Sequence, residues 1–271
     1  MNDQHQGEAP IQLNTDVPHP ARVYDYLLGG KDNFPADRAS AERGLAAAPE
    51  MRDTVRANRG FLVRAVRFLA EAGVRQFIDI GTGIPTSPNV HEVAQAVAPD
   101  ARVVYVDNDP IVLVHARALM AGPGRGATTI IQADLHDPQA ILAHPDLAKV
   151  IDFDQPVAII LVAILHLIAG ADDPAGIVRQ LLAPAAPGSY LALSHFGLEF
   201  NEERAMAVSA SAGRDGVTLI PRRHDEILGY FRGLDLVEPG LVQVSLWRPD
   251  REVTDEERTR VWTYAGIARK P

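Results

Sequence analysis

The segment FIDIGTGIPTSPN, Phe77 to Asn89, sets Asp79 just before Gly81 and Gly83 and puts Pro85 where a third glycine would complete a nucleotide-binding turn. Glycines adopt backbone angles that other residues avoid, and they leave no Cβ between the chain and a ligand. Asp79, Gly81, Thr82, Gly83 and Pro85 are therefore the first candidates for ligand contact. Alone the turn is a weak signal, because a purely structural turn would read the same way. Two later aspartates strengthen it. Asp107, in VVYVDN, lies 26 residues beyond Gly81, near where a dinucleotide fingerprint sets a carboxylate against ribose hydroxyls. A carboxylate can accept hydrogen bonds from both members of a vicinal diol. Asp134, in QADLHDP, closes a third β-like run, and Asn108 and Leu135, which follow these two acids, join the same candidate set. A strand-end aspartate is often only a solvated cap; three at one sheet edge form a pattern.

The elements that must position these residues follow from periodicity. Between Ala21 and Gly73 the pattern is helical, with Val55, Leu62, Val66 and Leu69 at spacings of seven, four and three and Gly73 as a stop. Past Gly73, β-branched runs alternate with amphipathic stretches: VRQFIDI, a helix from about Pro88, RVVYVD, a helix from Pro110, TTIIQAD, a short helix near Gln139, then PVAIILVAI. That alternation predicts an α/β fold, a parallel sheet with crossover helices. Ser87-Pro88 and Asp109-Pro110 each offer an N-cap side chain followed by proline at the first helical position. Beyond Gly188 come the strand SYLALSHF and helices around Glu203 to Arg214 and His224 to Phe231. LDLVEP and LVQVSLW then predict an antiparallel hairpin about Pro239-Gly240. The expected organisation is a flexible arm over residues 1–20, a helical cap or lid over 21–73, an α/β ligand-binding domain over 74–249, and a docked tail over 250–271 that carries Trp262 and Tyr264.

The 271 residues are 46% hydrophobic and 23% charged, an ordinary globular composition. A net charge of -9 argues against a broad nucleic-acid surface, which would need many Lys and Arg against phosphates. The absence of cysteine excludes disulfides, thiolate metal sites and a cysteine nucleophile. The start, MNDQHQGEAPIQL, lacks the blocks of a signal peptide, and the longest apolar run, Pro156 to Ala171, is short for a membrane span. The expectation is a cytoplasmic protein with neither nucleic-acid nor membrane partners, its oligomeric state open. HEVAQ at His91 is not a zinc-binding HExxH, and DNDP lacks the rest of a calcium loop, so no metal is expected.

The turn must serve either a dinucleotide or another adenosine ligand. A pyrophosphate needs helix N-terminal amides and a third glycine for close helix packing; Pro85 removes one donor and that glycine. S-adenosylmethionine has no phosphate, and its cationic groups suit Asp79 and an acidic rim. A long helical segment before the first strand also fits a methyltransferase better than a dehydrogenase. S-adenosylmethionine is the expected cofactor.

The segments ARVYDYLLGGKDNFPADR (Ala21 to Arg38), NRGFLVRAVRFLAEAGVRQFIDIGTGIPTSPNVHEVAQ (Asn58 to Gln95) and VVYVDNDPIVLVHARALM (Val103 to Met120) closely resemble an actinobacterial family. Its members are S-adenosylmethionine-dependent methyltransferases of unassigned substrate, formerly a domain of unknown function. The resemblance runs from about Pro18 to Pro271. It implies a class I, Rossmann-like methyltransferase fold with seven strands, the last antiparallel. It also implies that Asp79, Gly81 and Gly83 surround the methionine part of the cofactor, Asp107 binds ribose, and Asp134 meets the adenine amino group. Pro85 departs from the usual third glycine.

YDYLLGGKDNF holds Tyr24, Tyr26, Gly29, Gly30 and Asn33 ahead of the sheet. It reads either as a lid hinged at the glycines, bringing the tyrosines over the reacting groups and Asn33 over the cofactor, or as a plain helix end. Arg59 on the cap helix could hold the cofactor carboxylate bidentately or form a surface salt bridge. His166, after the fourth strand, is the candidate general base, with a satisfied core histidine as the alternative; His195, after the fifth, is a weaker candidate of the same kind. The expected function is methyl transfer to a small-molecule acceptor. The alternatives are an NAD(P)-dependent oxidoreductase and a noncatalytic S-adenosylmethionine-binding protein.

Overall fold

Alternation along each strand decides the architecture. In β1 (Gln76–Ile80), Phe77 enters one apolar layer and Ile78 and Ile80 the other; in β2 (Arg102–Asp107), Val103 and Tyr105 oppose Val104 and Val106. Successive strand side chains point to opposite faces, so strands apolar at nearly every position must be covered on both sides. The computed structural model, which describes residues 14–119 and 126–271, shows that cover. Preceding β1 are α1 (Pro20–Leu28), α2 (Pro35–Ala47) and α3 (Met51–Glu71). Val55, Leu62, Val66 and Leu69 of α3 are all buried, and Phe61 to Ala70 supply one core layer.

The chain continues through α4 (Val90–Val97), β2, α5 (Pro110–Leu119), β3 (Thr128–Gln132), α6 (Pro138–Leu142), α7 (Pro145–Ala148), β4 (Ala158–Val162), α8 (Pro174–Leu182) and β5 (Tyr190–Phe196). Then come α9 (Glu202–Arg214), α10 (His224–Leu228), β6 (Asp235–Leu236), β7 (Val242–Gln243), α11 (Asp255–Thr259) and β8 (Thr263–Arg269). The sheet order is β3-β2-β1-β4-β5-β8-β6, with β7 also on β8. β1 to β5 are parallel and β8 is antiparallel to β5. This is the α/β arrangement expected for the class I methyltransferase fold. Strand order reverses between β1 and β4, where a doubly wound sheet opens a crevice.

Three local expectations are corrected. The fourth helix starts at Val90 rather than near Pro88, because Asn89 and Glu92 form a capping box in which the Glu92 carboxylate accepts the Asn89 amide at 2.5 Å. By contrast, Asp109 caps α5 as predicted, its carboxylate accepting the Ile111 amide at 2.9 Å. LDLVEP and LVQVSLW do not pair as a hairpin: β6 and β7 are two residues each, and both pair with β8. Residues 263–269, expected within a docked tail, are that strand, inserted between β5 and β6 and in register with β5 from Tyr190↔Arg269 to Phe196↔Thr263. Of the arm expected over residues 1–20, residues 1–13 lie outside the described residues, and Arg22 donates to the carbonyls of Asn14 and Val17 in the remainder. Among the described residues no helix is long and apolar enough to cross a membrane, and no cluster of side chains could hold a metal ion.

Trp247 anchors α3 to the sheet. It is fully buried, edge-on to Phe61 and Phe68 with ring centroids 5.4 and 5.7 Å away, and Arg64 of α3 donates to its carbonyl. Trp247→Ala is expected to destabilise the fold by about 3–5 kcal/mol in urea unfolding, the usual range for emptying an aromatic core site. Trp247→Phe should cost less, since the indole N–H has no hydrogen-bond partner to lose.

Candidate functional site

The crevice beyond β1, β2 and β4 opens into a cavity of about 480 Å³. At the strand ends its lining includes the carboxylates of Asp79, Asp107 and Asp134; its helix side, built by α1, α2, α3 and α9, contributes an apolar patch that includes Leu27, Leu45, Val55 and Val208. Tyr24, Arg59, Asp79, Gly81, Thr82, Gly83, Asp107, Asn108, Asp134, Leu135 and His166 all line it. Tyr26, Asn33 and Pro85 do not. The Tyr26 hydroxyl donates to Glu42 and its ring lies under the Arg52 guanidinium. Asn33 is buried in the turn after α1, donating to the Asp25 carboxylate and to the Gly30 carbonyl. Gly29 ends α1 in the left-handed conformation, so this stretch adopts the helix-end alternative.

The turn after β1 is held from two directions. The Gly81 and Thr82 amides donate to the Val106 carbonyl at 2.8 and 3.2 Å, while the Gly83 amide donates to Asp107 Oδ2 at 2.8 Å. The other Asp107 oxygen accepts the Asp109 amide at 2.9 Å. Each oxygen keeps a lone pair for a ligand. Gly81 has φ +73°, and an added Cβ would lie 2.6 Å from the Ile164 side chain, so only glycine fits. Pro85 is tolerated because α4 starts five residues later; no helix amide is needed at that position.

Asp79 is 6% exposed, and no hydrogen-bond donor reaches its carboxylate among the described residues. Burial pushes its pKa up to about 7, with Arg59 opposing and the Asp107 carboxylate reinforcing the shift. Arg59 donates to the carbonyls of Thr86 and Pro88, yet its Nε is buried without a partner. Burial also raises the Asp107 pKa, against the two amides that lower it. At the half-exposed Asp134 the balance reverses: burial raises its pKa, but bonds from the His136 amide, Asn108 and the His136 ring outweigh it and hold the carboxyl low.

His166 lies on the turn Leu165–Leu167 just after β4. The Phe196 amide donates to its Nδ1 at 3.4 Å, which places the proton of the neutral ring on Nε2. Burial, aided by the positive charge of Arg222, pushes its pKa down to about 3. The ring therefore presents a donor to the cavity, not the proton acceptor that a general base requires. His195 lies inside β5 rather than after it and does not line the cavity. Its Nδ1 donates to the Phe196 carbonyl and its Nε2 accepts from Arg222. Tyr24 is also fully engaged: its hydroxyl accepts from Asn58 at 2.9 Å and donates to the Val55 carbonyl at 3.1 Å.

Two site residues escaped the sequence reading. Asn58 lies on the apolar stripe of α3, three residues after Val55 and four before Leu62, and a lone amide in such a stripe is a detectable signal. Arg222 has no such mark, since it sits beside the exposed Arg223 in PRRHDE.

This chain matches the S-adenosyl methyltransferase family over residues 6–271. It belongs to that family. A crystal structure of a DUF574 family protein from Streptomyces avermitilis is 46% identical, with a TM-score of 0.93 over 96% of this chain and 100% of that one. A candidate methyltransferase from Thermobifida fusca is 44% identical, with a TM-score of 0.89 over 96% and 98%. Magnesium protoporphyrin IX methyltransferase from Synechocystis, with bound S-adenosylhomocysteine, shares the fold at 13% identity, with a TM-score of 0.53 over 92% and 93%. Among curated proteins, none matches the chain. The enzyme is thus an S-adenosylmethionine-dependent methyltransferase.

The Asp79 pKa makes ligand binding depend on pH. A ligand ammonium seated on Asp79 would need the ionised carboxylate; with that contact, S-adenosylhomocysteine affinity is expected to fall about tenfold per unit below pH 7, read by calorimetry. The folded pKa lies above the ordinary 3.8, so Asp79's contribution to stability is fully present below about pH 4 and is lost as pH rises through 7. Asp79→Asn should therefore raise the Tm of the free protein at pH 8 while abolishing this affinity. An unchanged or lower Tm would contradict the buried charge.

Proposed function

We propose that this enzyme methylates a small, largely apolar molecule held between the sheet edge and the helices α1, α2, α3 and α9. The observation that carries the reading is a pair of unsatisfied groups that line the cavity from its strand and helix sides: the Asp79 carboxylate on β1, with no donor among the described residues, and the orphaned Nε of Arg59 on α3. A buried carboxylate and a buried guanidinium nitrogen are costly unless a ligand meets them. Together they suit a zwitterionic amino-acid group, with Asp79 taking the ammonium and Arg59 the carboxylate. In this reading the Gly81-Thr82-Gly83 backbone lies along the methionine chain, Asp107 accepts the ribose hydroxyls, and Asn108, Asp134 and Leu135 border the adenine. S-adenosylmethionine supplies a methyl group already made electrophilic by its sulfonium, so the protein's main task is to align the acceptor, and positioning can contribute about 7–11 kcal/mol. The acidic composition and absence of cysteine support a cytoplasmic enzyme that does not act on nucleic acid.

Calorimetry with S-adenosylhomocysteine and with NAD tests the reading; binding of NAD alone would overturn it. Asp107→Ala should weaken S-adenosylhomocysteine by about 1.5–3 kcal/mol, the range for hydrogen bonds to a charged group. Asp134→Ala should cost less, since an adenine amino group is a neutral donor at a half-exposed site where water can replace the carboxylate. A larger loss at Asp134 would exchange the two roles.

A further inference from the structure

Arg222 is a buried cation with no anion beside it among the described residues. It is 5% exposed, and its guanidinium donates to the carbonyls of Leu165 and Ile168 at 2.9 and 2.7 Å and to His195 Nε2 at 2.8 Å. Among the described residues no carboxylate forms an ion pair with it, whereas the other deeply buried arginine, Arg22, lies 3.6 Å from Asp37 and 3.3 Å from Asp109. A buried charge without a counter-ion is strongly unfavourable, and a ligand that supplies one is correspondingly favoured. The segment that Arg222 braces, Leu165 to Ile168, includes His166, whose Nε2–H has no partner among the described residues.

We propose that the acceptor carries an acidic hydroxyl, a phenol or an enol, and that the cavity binds it as the oxyanion on His166 Nε2–H, with Arg222 behind the ring supplying the compensating charge. This rests on the reading of the cavity as the methyl-transfer chamber. A protonated amine would be repelled by Arg222, and a neutral amine would need an acceptor where His166 offers a donor. A carboxylate would call for two adjacent donors, and the His166 ring offers one. The apolar helix side suits the rest of a ring skeleton, and low polarity strengthens the attraction between charges.

On binding, the hydroxyl proton leaves to solvent. The acceptor oxygen then bonds to the methyl carbon as the carbon–sulfur bond breaks, with that electron pair staying on sulfur. No proton moves in this step, so no base is required. The product is a neutral ether, which loses the attraction that held the anion.

Around His166 the titratable groups are His195 on β5, held well below its ordinary pKa, Arg222, and beyond them Tyr230, pushed up to about 12. Asp79, Asp107 and Asp25, the upward-shifted carboxylates on other walls, are common to parent and variants, so comparing them isolates His166. The test uses 7-hydroxycoumarin on the full-length protein saturated with S-adenosylhomocysteine, with fluorescence excitation separating phenol from phenolate. The expected result is that the bound probe stays ionised at least one pH unit lower than the free probe, and that 7-methoxycoumarin binds at least tenfold more weakly. His166→Gln, which keeps a donor, should retain the shift, and His166→Leu should abolish it. The proposal is overturned if S-adenosylhomocysteine binds but 7-hydroxycoumarin, 2-naphthol and 4-hydroxycoumarin all bind neutral or not at all. It is also overturned if 2-naphthoate binds more tightly than these, or if His166→Leu leaves the shift intact. Failure of S-adenosylhomocysteine to bind defeats the underlying reading instead.

Discussion

The carboxylate of Asp107 holds the crevice open in a defined shape. By accepting the Gly83 amide on one oxygen and the Asp109 amide on the other, it ties the turn after β1 to the turn after β2. Both turns are backbone without regular partners, and buried amides left unpaired would each cost about 1–3 kcal/mol. The clamp removes that cost while leaving ligand-facing lone pairs. From it follow the left-handed Gly81 pressed against Ile164, the long loop that makes Pro85 harmless, and the placement of Asp79 beside the cavity instead of under it.

The site is bought with stability. Asp79 sits buried and unpartnered, Arg59 Nε is orphaned, and Arg222 has no counter-ion among the described residues. Each is a local violation of the rule that buried polar groups are satisfied, and such violations concentrate where a ligand completes the set. The helices over the cavity are fixed by a different device, a set of buried ion pairs. Arg22 of α1 reaches Asp109 at the start of α5 and Asp37 of α2, while the His19 amide donates to Asp37. The cover is thus latched to the same β2 turn that Asp107 organises.

Most of the sheet was legible because its strands carry unbroken runs of large apolar residues, and the polar lining of the cavity was legible because Asp79, Asp107 and Asp134 close successive β-like runs. β8 was hidden for a physical reason. TYAGIAR must pass beneath Phe231, whose ring tip lies 3.2 Å from where a Gly266 Cβ would be, so small residues replace the bulky ones that announce a strand. The hairpin expectation failed with it, because β6 and β7 pair with the strand that had not been seen. Tyr26 and Asn33 share a short segment with Tyr24, but helix α1 turns Tyr26 toward Glu42, and Asn33 is used up closing the turn; spacing along the sequence says nothing about either. The tautomer of His166 depends on an amide thirty residues away, at Phe196, and no local pattern encodes it.

One polar chain joins the two halves of the cavity. Ser194 of β5 accepts the Ala163 amide at 3.0 Å and donates to Asn58 of α3 at 2.6 Å; Asn58 in turn donates to Tyr24 of α1. Ala163 has φ +59°, a conformation that a residue with a Cβ holds only when its surroundings enforce it. The enforcement comes from Ser194, and the bend it maintains turns the chain after β4 so that Ile164 packs on Gly81 while His166 reaches the cavity. The glycine turn after β1, the cavity-lining histidine and the cover helices are therefore not independent. They share one buried hydrogen-bonded thread, in which removing any member would leave another polar group unsatisfied, and that explains why an amide occupies the apolar stripe of α3.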